Sequence, residues 1–448
     1  GGAERRSRPG PAGVRAAQFG IDGTASGGAG SPPEMNGAGI QSNAAPTVPA
    51  IRWRWALGLA AAAVLWVDPS SGVAAAILLG AGLYGLFRAR KTFAAWRNPA
   101  GALIAAGALW AALSTLWSFY PAGSLRDLAK SAPLALAVLA LPAIFDRPDR
   151  VWAAVLVSAT AVTATLAVDL ARIITLLGWS WTFPAARFLH PYLYTHPNVA
   201  SMMAGLCALA FATRALAGVK GWGWRALLAL GIAIDLFYLV ALASRGPQAT
   251  FALVALAFPV ALLPGWRARL AAAVLAVALG WGLWQCAGHV NPRFRDRTMA
   301  SFNDRDTVWS HSKMLADRQP VAGYGFGKKA FLKAFYENPD QRSPLVPVRY
   351  PHAHSYWLML YFQGGAVGFF LWSAGWLALA ARLLRCAACS GGARERFQAR
   401  VLPALLLAGI VYVLVYGIGD FPDSVIRASL FHFIGLGLAL TQPRPEGA

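Results

Sequence analysis

Residues 225–264 read RALLALGIAIDLFYLVALASRGPQATFALVALAFPVALLP, two apolar runs (225–243 and 246–264) meeting at Ser244-Arg245. Each run is close to the ~20 residues a helix needs to cross a hydrocarbon core. Gly246 and Pro247 break a continuous helix at the join, so the stretch predicts two membrane helices with Arg245 at the tight turn between them. Working outward, similar runs occupy approximately 53–67, 72–87, 99–117, 128–145, 150–178, 197–217, 267–288, 354–381, 400–418 and 425–441. The first two are short enough to form one hairpin. The whole is 57% hydrophobic and 13% charged, against about 25% charged residues in soluble domains. A soluble enzyme is thereby excluded, and the expected fold is an all-α, polytopic membrane bundle of about 12 transmembrane helices.

The organisation follows from those runs. Residues 1–50 are rich in Gly, Ala, Ser and Pro, carry Arg5, Arg6, Arg8 and Arg15, and have too few large aliphatic side chains to bury a core. They predict a disordered tail, with Met35 one candidate for the native start. Helices one to nine fall in 51–288, a long loop in 289–353, helices ten to twelve in 354–441, and a short tail in 442–448.

The net charge of +21 is compatible with nucleic acid, anionic lipid or an anionic substrate. Position narrows this. Lys and Arg gather in alternate short loops, at Arg88, Arg90, Lys91 and Arg97, at Arg147 and Arg150, at Arg214, Lys220 and Arg225, at Arg267 and Arg269, and at Arg382, Arg385, Arg394, Arg396 and Arg400. The other side holds little besides Arg126, Arg187 and Arg245. By the positive-inside bias, both termini are expected in the cytoplasm and 289–353 on the outer face. Topology absorbs most of the charge, so no nucleic-acid partner is expected. Within the loop, Trp309, Met314 and Leu315, then Phe331, Phe335 and Tyr336, recur near helical spacing among Lys328, Lys329 and Lys333. That pattern predicts short amphipathic helices on the membrane surface.

Ionisable groups at the outer edge are the candidates for chemistry, because a basic residue there opposes the topological bias. Arg245 offers a guanidinium to a phosphate, or else snorkels as an ordinary loop arginine. Arg187 precedes His190, His196 and Pro197. The proline suits a helix start whose positive end would face an anion, and the two histidines are candidate ligands or plain interfacial side chains. The densest cluster is Arg349-Tyr350-Pro351-His352-Ala353-His354-Ser355. A histidine there can take a proton near neutral pH; the competing readings are helix capping and a zinc site, for which no third ligand is designated in sequence. Gln363-Gly364-Gly365-Ala366-Val367-Gly368 has a GxxG spacing suited to close helix packing. Asp304-Arg305-Asp306 matches a metal-binding DxD only weakly and reads better as a solvated charge run. Cys386 and Cys389 form a CxxC without a second pair or a neighbouring histidine, which favours a structural role over metal or redox chemistry.

The run of spans, the long outer loop, Trp309 to Asp317 leading into Pro320-Val321-Ala322-Gly323-Tyr324-Gly325-Phe326-Gly327, then His352-Ala353-His354-Ser355 and Gly365 and Gly368, resembles the O-antigen ligase and polymerase superfamily of Gram-negative bacteria, most of all its ligase branch. The resemblance implies a GT-C-like membrane glycosyltransferase of the inner membrane. It would move a preassembled polysaccharide from undecaprenyl diphosphate to a terminal sugar of lipid A-core on the periplasmic face, with no metal, nucleotide sugar or other cofactor. It also implies a catalytic histidine matching His354 and donor-binding arginines matching Arg187 and Arg245, with His352, Arg349 and His196 in support. The chemistry fits: guanidiniums suit a diphosphate leaving group, and a histidine suits an acceptor hydroxyl. Ser355 fits the ligase pattern only loosely, which keeps a polymerase open, as well as a protein O-oligosaccharyltransferase. A secondary transporter should show internal repeats and midplane charges; Asp169, Arg172 and Asp235 are few, and no repeat is evident.

Overall fold

The computed structural model describes residues 58, 60–66, 71–183, 196–263, 266–290, 305–338, 350–388, 393–421 and 435–440. The chain divides between Val48 and Pro49, and every described residue lies in the second part; the expected disordered tail at 1–50 is outside the description. Helices are the only regular elements among the described residues. In chain order they are α1 (60–66), α2 (Gly72–Phe87), α3 (Ala89–Trp96), α4 (Pro99–Leu113), α5 (Pro121–Ile144), α6 (Pro148–Leu177), α7 (Pro197–Leu216), α8 (Trp222–Ala241), α9 (Arg245–Leu262), α10 (Trp266–Val290), α11 (Arg305–Ala316), α12 (Lys328–Tyr336), α13 (Tyr356–Ala388), α14 (Ala393–Gly419) and α15 (435–440). Four of them, α4 to α7, open with proline in the first turn, where its missing N–H costs no hydrogen bond.

The described runs are helical, but not all are crossings. Among the described residues, six helices are long and apolar enough to span a membrane: α5, α6, α7, α8, α13 and Ala399–Gly419 within α14. The pair α2 and α3 counts as a seventh if its 93° bend belongs to one span. The dozen expected from sequence is not confirmed: α2 and α4 are short, at 16 and 15 residues, and the runs at 53–67 and 425–441 lie only partly within the described residues. A further difference is α5, which begins at Pro121 rather than near 128. Its first turns carry Arg126, Asp127 and Lys130 and are helical without being apolar.

The most enclosed helix is α7, buried at every position from 201 to 210. It packs among α6, α8, α9 and α14 around Leu166, Met202, Met203, Tyr238 and Tyr412. A second core joins α4, α13 and α14 around Ile104, Trp376, Leu379 and Leu406. Asp235, fully buried on α8, is met by the Thr163 hydroxyl of α6, 3.0 Å from both carboxylate oxygens.

The two amphipathic helices predicted in 289–353 are present as α11 and α12, with a correction to what they cover. Val308, Leu315, Phe331 and Phe335 are turned onto Tyr324, Met359 and Phe362 and are essentially unexposed. Their apolar faces are spent on the protein rather than on a lipid surface. The N-terminal end of α12 is held by Asp127, which accepts from the Lys329 backbone N–H at 3.0 Å.

Of the glycines read as a packing motif, Gly364 and Gly368 do lie against Trp110 of α4, but Gly365 does something else. Gly365 is a break in α13, with φ 59° and ψ −162°, a region only glycine occupies freely. The break frees backbone groups, and the segment around Pro320-Val321-Ala322-Gly323-Tyr324-Gly325 takes them up. Tyr324 and Gly325 donate from backbone N–H to the Phe362 and Gln363 carbonyls at 2.8 and 3.1 Å, and Ala366 donates to the Pro320 carbonyl at 2.7 Å. Trp110 of α4 donates from Nε1 to the Gly364 carbonyl at 2.8 Å. The segment is thus a splint across a broken helix, satisfying groups that could find no water in a membrane.

Candidate active site

The carboxylate of Asp420, one residue beyond α14, collects side chains from three helices and from the segment that precedes α13. Its Oδ2 accepts from the Tyr416 hydroxyl at 2.8 Å and from Asn198 Nδ2 of α7 at 3.2 Å. Arg305, the first residue of α11, sets its guanidinium 3.8 Å from the same oxygen and donates to the Gly419 carbonyl. Oδ1 accepts from the Phe421 backbone N–H at 2.9 Å and lies 3.3 Å from His354 Nδ1. Burial alone would push this carboxyl up. The hydrogen bond from His354 and the charge of Arg305 outweigh it and hold the group well below the usual carboxylate range.

An ionised carboxylate only accepts, so His354 presents its Nδ1–H to Asp420 and keeps its lone pair on Nε2. That nitrogen is buried and has no hydrogen-bond partner among the described residues. The backbone of His354 is held in a left-handed conformation, φ 50°, shared among the described non-glycine residues only with Ala243. Such outliers persist where their surroundings over-determine them, and here they do. The His354 N–H donates to His352 Nδ1 at 3.2 Å, its carbonyl accepts from Trp309 Nε1 at 3.1 Å, and its ring lies between Tyr350 and His352. The other outlier, Ala243, lies two residues before Arg245.

Arg245 is the first residue of α9, with Ser244 at the cap position. The start of α9 adjoins the site: Tyr412 donates to the Pro247 carbonyl at 2.9 Å, and Gly246 sits against Tyr416, the partner of Asp420. His196 caps α7 by position, two residues before Asn198. The structure therefore gathers His352, His354, the start of α9 and the start of α7 at one end of the bundle. Arg187 and Arg349, and His190 with them, lie outside the described residues, as do Asp304, Cys389 and Asp423.

Two participants escaped the sequence reading. Asp420 lies between the last two apolar runs, in no motif that marks it out. Arg305 was taken for part of a solvated charge run, and the structure corrects this: its side chain is 22% exposed and folded onto Asp420. The two histidines also have a third potential ligand beside them that the sequence does not designate. His352, His354 and Asp420 each place a ligand atom within 4.8 Å of the others. A cation there would compete with the Arg305 guanidinium and with His352 Nδ1 as an acceptor of a backbone N–H, so the arrangement suits an oriented base better than a metal centre.

Burial chiefly, and then the adjacent His354, lower the His352 imidazole to about 3. It is neutral in the fold, whereas an unfolded histidine takes a proton below about 6.5. The unfolded chain then binds more protons than the native one, and stability falls as pH drops from about 6.5 toward 3. A melting temperature measured in detergent should decline between about pH 7 and about pH 5, and His352→Asn should flatten the decline. An unchanged slope in the variant would assign the effect to other groups.

Among the described residues, an all-helical bundle with membrane-length spans and a buried, carboxylate-paired histidine at one end defines the class: an integral membrane protein with a histidine–aspartate pair. Residues 228–373, about a third of the chain, match a family described as O-antigen ligase. The matched stretch runs from α8 into α13 and contains Arg245, Arg305, His352 and His354 but not Asn198 or Asp420. No curated protein matches the chain significantly.

Proposed function

We propose that the protein is an O-antigen ligase, an inverting glycosyltransferase that moves O-antigen polysaccharide from undecaprenyl diphosphate to a terminal sugar of lipid A-core at the periplasmic face of the inner membrane. The observation that carries the reading is the His354 imidazole, tied through Nδ1 to an ionised Asp420 with Nε2 free to accept. In the reaction the acceptor hydroxyl gives its proton to Nε2 as its oxygen attacks the anomeric carbon. The bond from that carbon to the diphosphate breaks on the opposite face, and undecaprenyl diphosphate leaves with the electron pair. Arg245 binds the departing diphosphate, with Arg187 as its partner and Arg349 and His196 in support. A bidentate fork suits phosphate better than an ammonium does. His352, neutral and against the ring of His354, orients it.

The test is reconstitution with lipid-linked polysaccharide and either rough lipopolysaccharide, a second lipid-linked repeat, or a protein acceptor. Labelled lipid A-core supports a ligase, chain extension on the carrier a polymerase, and modified protein an O-oligosaccharyltransferase. Transfer is expected to persist in excess chelator; loss with EDTA and recovery with a divalent cation would instead make His352, His354 and Asp420 a metal centre. Arg245→Lys should keep the fold and lose about tenfold or more in rate, the cost of replacing a fork with a point charge. A wild-type rate would return Arg245 to the role of a loop arginine.

A further inference from the structure

At the opposite end of the bundle, α6, α7 and α8 line an open-sided cavity of about 750 Å³ that the proposed reaction does not use. Its place follows from α7, which starts beside the site at Asn198 and ends at Leu216. A helix of 20 residues is about 30 Å long, so the far end lies a membrane's width from His354. The interior is apolar, with Leu156, Phe211 and Leu228 among its walls, and Arg214, Lys220 and Trp224 are grouped at that end.

The charge there is uncompensated. Arg214 spends one N–H on the Gly218 carbonyl at 3.2 Å and stacks its guanidinium 5.7 Å from the Trp152 ring centre, and Arg225 donates to the Val219 carbonyl. None of Arg214, Lys220 and Arg225 has a carboxylate partner among the described residues. Gly218 and Gly221, with φ 87° and 91°, hold the tight turn that presents Lys220. Trp222 and Trp224, 84% and 64% exposed, stand where aromatic side chains anchor a helix at a membrane interface. A pocket that is apolar within and cationic at its rim complements an amphiphile with a phosphate head and acyl tails.

We propose that this cavity binds an anionic phospholipid of the leaflet remote from His354, its phosphate on Arg214 and Lys220 and an acyl chain between α6 and α8. The donor's diphosphate belongs at the other end of α7, so this is a separate, structural lipid. Delipidated full-length protein should be titrated with a phosphatidylglycerol, a phosphatidylcholine of the same chains, and glycerol phosphate, and read by native mass spectrometry. One phosphatidylglycerol should bind in preference to phosphatidylcholine, and glycerol phosphate should not displace it. Arg214→Gln with Lys220→Gln should weaken phosphatidylglycerol about tenfold or more, while Arg267→Gln with Arg269→Gln leaves it unchanged. Thr160→Trp, which fills the cavity, should block the same adduct. Equal binding of the two phospholipids, an unaffected Arg214/Lys220 variant, or displacement by glycerol phosphate would each overturn the proposal. The charge variants change groups at the bundle's rim, so the test survives a failure of Thr160→Trp to fold.

Discussion

His354→Ala is expected to abolish polysaccharide transfer while leaving the protein folded. A general base contributes about 10²–10⁴-fold, and the neighbouring His352 cannot simply stand in, because its Nδ1 already accepts the His354 N–H. Asp420→Asn should fall by about 10²-fold or more through a misoriented imidazole. The combination is the sharper measurement. If the two residues act as one unit, His354→Ala with Asp420→Asn should be no slower than His354→Ala alone. His352→Ala should be milder. Normal transfer by both histidine variants at several pH values would refute base catalysis by this cluster, and additive losses from His354 and Asp420 would separate their roles.

The second large effect is structural. Gly365→Ala should cost the protein its fold, because a Cβ at this position would run into the Val321 backbone and the residue would be held at φ 59° and ψ −162°. Gly323→Ala should behave similarly, its Cβ meeting the Gln363 backbone at 2.6 Å at a φ of 70°. The backbone conformation alone costs on the order of 1–3 kcal/mol, and a clash with backbone atoms on the other chain segment cannot be relieved by a rotamer change. Gly80→Ala, with nothing within 4 Å, is the control. Size-exclusion profiles and melting temperatures should show the first two variants aggregated or strongly destabilised and the third like wild type. A Gly365→Ala protein melting with the wild type would mean the splint is dispensable.

What could be read from sequence depended on the range of the interaction. Proline starts and apolar runs are local, and they located α7 at Pro197 and the turn at Arg245 to within a residue. Hydropathy failed where a helix stops being apolar without stopping, as at the start of α5. The Gly365 break looked like a packing motif because its cause, the segment at 320–325, lies about 40 residues upstream. His354 was found because two histidines at a span mouth are conspicuous. Asp420 was not, since its partners Asn198 and Arg305 come from chain positions 222 and 115 residues away, and no spacing rule connects them. The arginine beside it was misread for the same reason: a charged residue within a charged run gives no local sign that it is folded inward.

The carboxylate of Asp420 also sets when the protein can act. Asn198 leaves the ribosome 222 residues before Asp420, which at about 5–20 residues per second is ~10–45 s of synthesis. His354 is made only in the last 66 residues of that stretch, so for ~3–13 s it lacks the group that fixes its tautomer. On the proposed mechanism, a chain cut short before Asp420 has no oriented base and stays inactive until the last helices are in place.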